Sequence, residues 1–319
     1  MQKKIPFSFH FRVKVIVPPT TINWYCNKNE GMKTCILRKK IRPLQQTKKD
    51  YATMNELIIL ACALLPALLL MLFIYYKDIN PEPPYLVLKG FLLGMGIALP
   101  ISLVEILVET LLSPFLIIPL IGAVITAFCV AAIPEETGKY LALKWLVKKY
   151  PHEMDERMDG IVYAVSVSLG FAALENVTYL FQNADAWVQV GIARALLAVP
   201  GHYAFAVLMG YFFSLYYFGD RSKATRTNII LIPVVAHGIY DTLCFVSEIL
   251  PAIGGIITMM LIYFCYRMHQ FALSKIREHA NWDAQNQQTY DEQDTQYSQT
   301  DDEWSHGAEA LRNMIENKS

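Results

Sequence analysis

Glu135 and Glu136 stand side by side in VITAFCVAAIPEETGKYLALKWLV, residues 124–147, a stretch otherwise apolar enough to cross a membrane. An ionised carboxylate in hydrocarbon costs roughly 2.5–3.5 kcal/mol on insertion scales, and two neighbours resist joint ionisation. Such a pair needs a polar cavity, cationic partners or a held proton. Each of these describes a site for acid–base chemistry rather than packing. Lys139 follows Glu135 by four residues and shares its helix face. Pro134, just before the pair, loosens the helix at that point.

Three other apolar stretches carry matching groups. GFAALEN, 170–176, sets Phe171 and Glu175 on one face, with Asn176 next. PGHYAF, 200–205, places His202 beside the helix-distorting Pro200 and Gly201. AHGIYD, 236–241, spaces His237 and Asp241 by four, so that the carboxylate can orient the imidazole or both can bind one metal. Each group alone has an ordinary explanation, such as a snorkelling pair, an interhelical hydrogen bond or a carbonyl-bonded histidine. Depth argues otherwise. At about 1.5 Å per residue, Glu135, Glu175, His202, His237 and Asp241 all fall within roughly a helical turn of the midplane. Four helices thus bring acids, imidazoles and an amide to one level. Arg194 is expected to be an interface anchor, and Glu105 and Glu109 to be surface residues near a span end.

The elements that must hold these groups are membrane helices. The chain has 319 residues, 54% of them hydrophobic, with mean hydropathy +0.29. Several windows exceed 18 nearly uncharged residues, which are too long for barrel strands. The fold class expected is an all-α, polytopic transmembrane bundle of about seven spans with its chemistry in the interior. The spans are placed at 55–76, 85–108, 122–146, 159–182, 193–218, 229–249 and 251–268. Pro114 and Pro119 break the segment 110–122, which reads as re-entrant or interfacial.

Zero net charge conceals two unlike parts. Residues 1–53 hold 12 Lys/Arg against two acids, whereas residues 54–319 hold 16 Lys/Arg against 26 acids. Residues 1–53 read as a basic leader, with Met54 as the expected true start. Residues 54–270 form the membrane domain, and 271–319 an acidic polar tail. Within the tail, 281–319 is expected to be disordered apart from a short helix near 307–316. Lys/Arg-rich loops at 144–158 and 219–228, with Arg267, Lys275 and Arg277 after the last span, orient the bundle. They place the C-terminus in the cytoplasm and the residues before the first span outside, in a multi-pass plasma or inner membrane. An exported basic leader would break that rule, which favours the Met54 start. No nucleic-acid partner is expected. The six cysteines show no CxxC spacing, so no zinc cluster or disulfide framework is expected of them.

Glu135-Glu136-x-x-Lys139, Phe171-x-x-x-Glu175-Asn176, His202 and His237-x-x-x-Asp241 together resemble the motif set of the PrsW intramembrane proteases. These are distant relatives of the CAAX prenyl endopeptidases and the CPBP proteins. The resemblance covers about 54–270. It implies an endopeptidase cutting membrane-anchored proteins within the bilayer, an anti-sigma factor being the substrate class associated with the family. On that reading Glu135 is the general base, crowded by like charge from Glu136 and Glu175 and so a better proton acceptor. His202 positions the water. His237, held by Asp241, donates to the oxyanion or leaving nitrogen. Lys139 balances charge and Asn176 adds a donor. No cofactor is required by this scheme. Zinc on Glu135, Glu175, His202 and His237 remains the alternative, although HExxH is absent. A proton- or ion-coupled transporter using the same groups is the competing function. It predicts an internal repeat, and no clear one is visible in the sequence.

Overall fold

The computed structural model describes the backbone of residues 44–316 and the side chains of residues 56–288. The Met54 start and the leader reading concern residues that, through 43, lie outside the described ones. Every element among the described residues is helical. Among the described residues, seven segments are long and apolar enough to cross a membrane, as expected.

Helix α1 spans Leu44–Tyr75 and α2 Pro84–Leu112. A 3-10 turn, Ser113–Phe115, and the short α3, Pro119–Ile125, then reverse the chain. The proline-broken stretch 110–122 is therefore the hairpin between the second and third spans. The third span continues through a π-helical turn, Thr126–Ala132, into α4, Ile133–Lys149. Helix α5 covers Arg157–Gln182. The short α6, Trp187–Ala193, a second π turn, Arg194–Ala198, and α7, Val199–Tyr217, form the fifth span. Helices α8, Lys223–Ile249, and α9, Gly254–Glu316, complete the chain.

Helix α5 is the axle of the bundle and packs against α7, α2 and α1. The α2–α5 crossing is a backbone contact. A Cβ on Gly170 would sit 1.9 Å from the Phe91 carbonyl oxygen, and one on Gly94 1.9 Å from that of Val167. Small residues permit this approach where no hydrophobic gain separates helix contact from lipid contact. The outer faces stay apolar. Leu99, Leu103, Leu107 and Leu111 form an exposed stripe along α2 that suits lipid.

The tail departs from expectation. Helix α9 runs without a break past the last apolar span, and residues 281–288 are ordered helix rather than disordered chain. Met268, Ala272, Ile276, His279 and Asp283 repeat at helical spacing and are all buried. Composition hid this stripe among Gln, Asp and Asn. Asp283 accepts from the backbone N–H groups of Arg157 (2.9 Å) and Met158 (2.8 Å), the first turn of α5. The capping box of Glu156 and Asp159 satisfies the next donor.

Candidate active site

The two helices that carry the Glu135–Glu136 pair and His202 are each widened just before a proline. Pro134 and Pro200 lack an N–H, so each leaves a carbonyl four residues back without its partner. The chain answers with i→i+5 bonds, from Ile133 to the Phe128 carbonyl and from Val199 to the Arg194 carbonyl. Such π turns recur at functional sites because they redirect the side chains that follow.

Lys139 sits at the centre of the site, 1% exposed. Its ammonium donates to Glu135 Oε2 at 2.9 Å and Glu136 Oε1 at 2.8 Å, and lies 3.1 Å from His202 Nδ1. It also lies 4.5 Å from the centre of the Phe171 ring. An ammonium has no acceptor, so Nδ1 of His202 must accept. The other nitrogen, Nε2, then carries the proton and donates to Glu175 at 2.9 Å. His237 faces carboxylates at both nitrogens, with Glu136 Oε1 2.9 Å from Nδ1 and Asp241 Oδ2 3.3 Å from Nε2. It is placed to be a double donor. The Phe205 ring stacks on it at 4.9 Å. The two imidazole centres are 5.5 Å apart.

The structure brings Glu135, Glu136, Lys139, Phe171, Glu175, His202, His237 and Asp241 together, with Asn176 at the edge of the cluster. Glu136 is fully buried and tied to Lys139 and His237, while Glu135 keeps 6% exposure and is the more open of the two acids. Asn176 does not point a free donor at the centre. Its amide N–H donates to the Ala63 carbonyl on α1 at 3.1 Å, and its oxygen accepts from Arg194. Arg194 departs furthest from expectation. Instead of anchoring at an interface, it pairs with Glu175 at 3.0 Å inside the bundle. Glu105 on α2 is half-buried and Glu109 is exposed, and neither makes an ion pair among the described residues. Glu175 thus has two partners, a histidine and an arginine.

The ligand atoms of Glu135, Glu136 and His202 all lie within 4.8 Å of one another. This differs from the expected metal set, because Glu175 lies on the far nitrogen of His202 and His237 stands behind Glu136. Two carboxylates and an imidazole are a fitting donor set for a divalent metal. Glu136 Oε2 has no hydrogen-bond partner, and a cation, the Lys139 ammonium, already touches all three ligands. The residues therefore fit a metal, provided that Lys139 moves.

Acids, imidazoles and buried cations inside a bundle of membrane-spanning helices define a multi-pass membrane protein with an acid–base centre. Comparison gives its kin. The sequence model described as PrsW family intramembrane metalloprotease matches residues 82–267, and the chain belongs to this family. It is accordingly a peptidase, and a transporter is not favoured. The chain is 35% identical over 191 residues to Protease PrsW of Clostridioides difficile strain 630, covering 58% of this chain and 78% of that one. It is 36% identical over 196 residues to Protease PrsW of Geobacillus kaustophilus strain HTA426, covering 60% and 81%. With Protease PrsW of Bacillus subtilis strain 168 the identity is 31% over 224 residues, 69% and 94% of the two chains. No solved structure matches.

Proposed function

We propose that this peptidase cuts a membrane-anchored protein, an anti-sigma factor in a regulated proteolytic cascade, with a water activated by Glu135. The observation that carries this reading is the convergence of Glu135, Glu136 and His202 on one point within membrane-spanning helices. Hydrolysis needs a base, a donor for the oxyanion and a proton for the leaving amine. Glu135, the more open carboxylate, accepts the proton of water. Lys139 keeps the two glutamates together without repulsion and returns a donor to the developing charge. His237, doubly donating between Glu136 and Asp241, supports the oxyanion or delivers the proton to nitrogen. Arg194 holds Glu175, and Glu175 fixes the His202 tautomer so that Nδ1 faces the centre. The basic loops favour an orientation with the C-terminus in the cytoplasm.

A metal-dependent form of the same reaction draws support from the donor set and the family's description. Glu135, Glu136 and His202 would hold the ion, which when bound supplies Lewis-acid polarisation of water and carbonyl.

The test uses full-length protein in liposomes with a single-pass membrane substrate and maps new termini by mass spectrometry. Glu135→Gln should reduce cleavage by roughly 10²–10⁴-fold while leaving substrate capture intact. Undiminished cleavage by that variant would remove Glu135 from the chemistry. Parallel assays after chelation and readdition of zinc separate the metal-dependent form from the metal-free one.

A further inference from the structure

A second group of acids lies at the end of the bundle where the α1–α2 loop, the α4–α5 loop and the cytoplasm-assigned part of α9 meet. Ligand oxygens of Asp78, Glu156 and Asp159 lie within 4.8 Å of one another. Glu82 is buried beside them and accepts from Tyr163 Oη. No ion pair among the described residues reaches any of these acids.

Part of this crowding is helix capping. Asp159 Oδ2 accepts from the N–H of Asp155 at 2.8 Å and of Glu156 at 2.6 Å, and Asp283 caps the first turn of α5. A helix N-terminus, however, offers only about half a positive charge. It cannot balance three or four carboxylates. Asp78 is outside the capping scheme altogether. It is 7% exposed, and neither of its oxygens has a hydrogen-bond partner among the described residues. The Asn80 backbone N–H lies near enough to favour its charged form but satisfies neither oxygen with a hydrogen bond. Glu156 Oε2 is likewise buried and unpartnered, while Oε1 accepts from the Asn80 side chain. A buried carboxylate with both oxygens unmet is costly. It is also aimed at two other acids, the reverse of what repulsion alone would select.

We infer that Asp78, Glu156 and Asp159 form a binding site for a hard divalent cation, calcium or magnesium, that clamps the α1–α2 and α4–α5 loops together. An all-oxygen, all-carboxylate donor set selects such ions over zinc or copper. Water completes the shell of an ion held by a few carboxylates. Three carboxylates held this close repel one another when ionised. A cation relieves the same repulsion that a proton would. The clamp also reaches the tail, because Asn80 bonds both Glu156 and Gln287 of α9.

The experiment follows thermal unfolding of the full chain in detergent, first in EDTA and then with excess calcium or magnesium. Parent protein should gain about 5–10 °C at a hundredfold excess over Kd. Asp78→Asn should melt higher than the parent in EDTA and gain nothing from either ion. Glu136→Gln, in the membrane centre, should keep the full gain. Manganese binding followed by electron paramagnetic resonance gives a second readout on parent protein. It should show one oxygen-ligated ion that persists in Glu136→Gln and weakens at least tenfold in Glu156→Gln. That measurement decides the matter if Asp78→Asn does not fold. A parent protein indifferent to all three ions overturns the site. So does a gain that survives Asp78→Asn but disappears in Glu136→Gln, which would place the ion in the membrane centre. The ion giving the larger gain identifies which of calcium and magnesium the site prefers.

Discussion

Replacing Lys139 by methionine asks directly what holds the two glutamates together. The ammonium makes three contacts between 2.8 and 3.1 Å, and its side chain is 1% exposed against 0% and 8% for Glu136 and Glu135. Solvent therefore screens these contacts little. Removing one partner of a buried ion pair costs about 3–5 kcal/mol, because the other charge stays behind. At roughly 2–4 °C per kcal/mol for a body of this size, Lys139→Met should melt about 6–20 °C lower in EDTA. The double variant Glu136→Gln/Lys139→Met removes charge on both sides and should recover much of the loss, since deleting a buried pair as a unit is often neutral. The assay is near-ultraviolet circular dichroism of protein purified in detergent, with zinc readdition as a second arm. If a metal occupies the place of the ammonium, zinc should restore the single variant. A melting point within about 1 °C of the parent in EDTA would refute the central position of Lys139.

Arg194→Met should lower cleavage about 10–100-fold by releasing Glu175 and the His202 tautomer. Arg194→Lys should rescue it only partly, because one ammonium cannot reproduce the guanidinium fork that meets Glu175 and Asn176. Gly170→Ala should destabilise the bundle by about 1–3 kcal/mol or more, seen as a lower melting point, because its Cβ would meet the Phe91 carbonyl oxygen at 1.9 Å. Gly96→Ala is its control: nothing lies within 4 Å of that Cβ, and a gain of up to about 1 kcal/mol is expected. Asp283→Ala leaves the Arg157 and Met158 N–H groups uncapped and should cost about 1–3 kcal/mol, with faster amide exchange confined to the first turn of α5 and the facing part of α9.

The central residues were legible because charge in hydrocarbon is conspicuous. Glu135, Glu136, Lys139, Glu175, His202, His237 and Asp241 interrupt apolar runs, and the structure gathers them. What was misread was depth near span ends. Composition puts the start of the fifth span at 193, which leaves Arg194 at its edge. The observed span begins at Ala184, so Arg194 lies 194 − 184 = 10 residues inside it, about 15 Å along the axis. The second span likewise runs on to Phe115 rather than ending at 108. Apolar windows end where composition turns polar, whereas helices end where hydrogen bonding fails. The tail was misjudged for a related reason. Disorder was read from average polarity, but docking needs only a narrow stripe, and Met268, Ala272, Ile276, His279 and Asp283 supply one.

The prolines announce a loosened helix, but not the form it takes, and the form is what assembles the site. Two pairs of contacts start from the residues whose carbonyls accept the widened bonds, Phe128 and Arg194, and end beyond the prolines. Phe128 packs on Gly238 of α8, and Glu136, eight residues later, bonds His237 of the same helix. Arg194 pairs with Glu175 of α5, and His202, again eight residues later, bonds the same carboxylate. In a regular α-helix, at about 100° per residue, positions eight apart point about 80° away from each other. Either residue of each pair could then face its partner helix, but not both squarely. A π turn accommodates one additional residue, so the rotation is that of about seven residues, which leaves only about 20° of divergence. Each widened turn therefore aligns two contacts on one neighbour. A straight helix with the same residues would separate Glu136 from His237 or His202 from Glu175, and the cluster would lose an acid–imidazole pair. The prolines thus serve the chemistry through the hydrogen bonds they withhold, one turn before the residues that carry it.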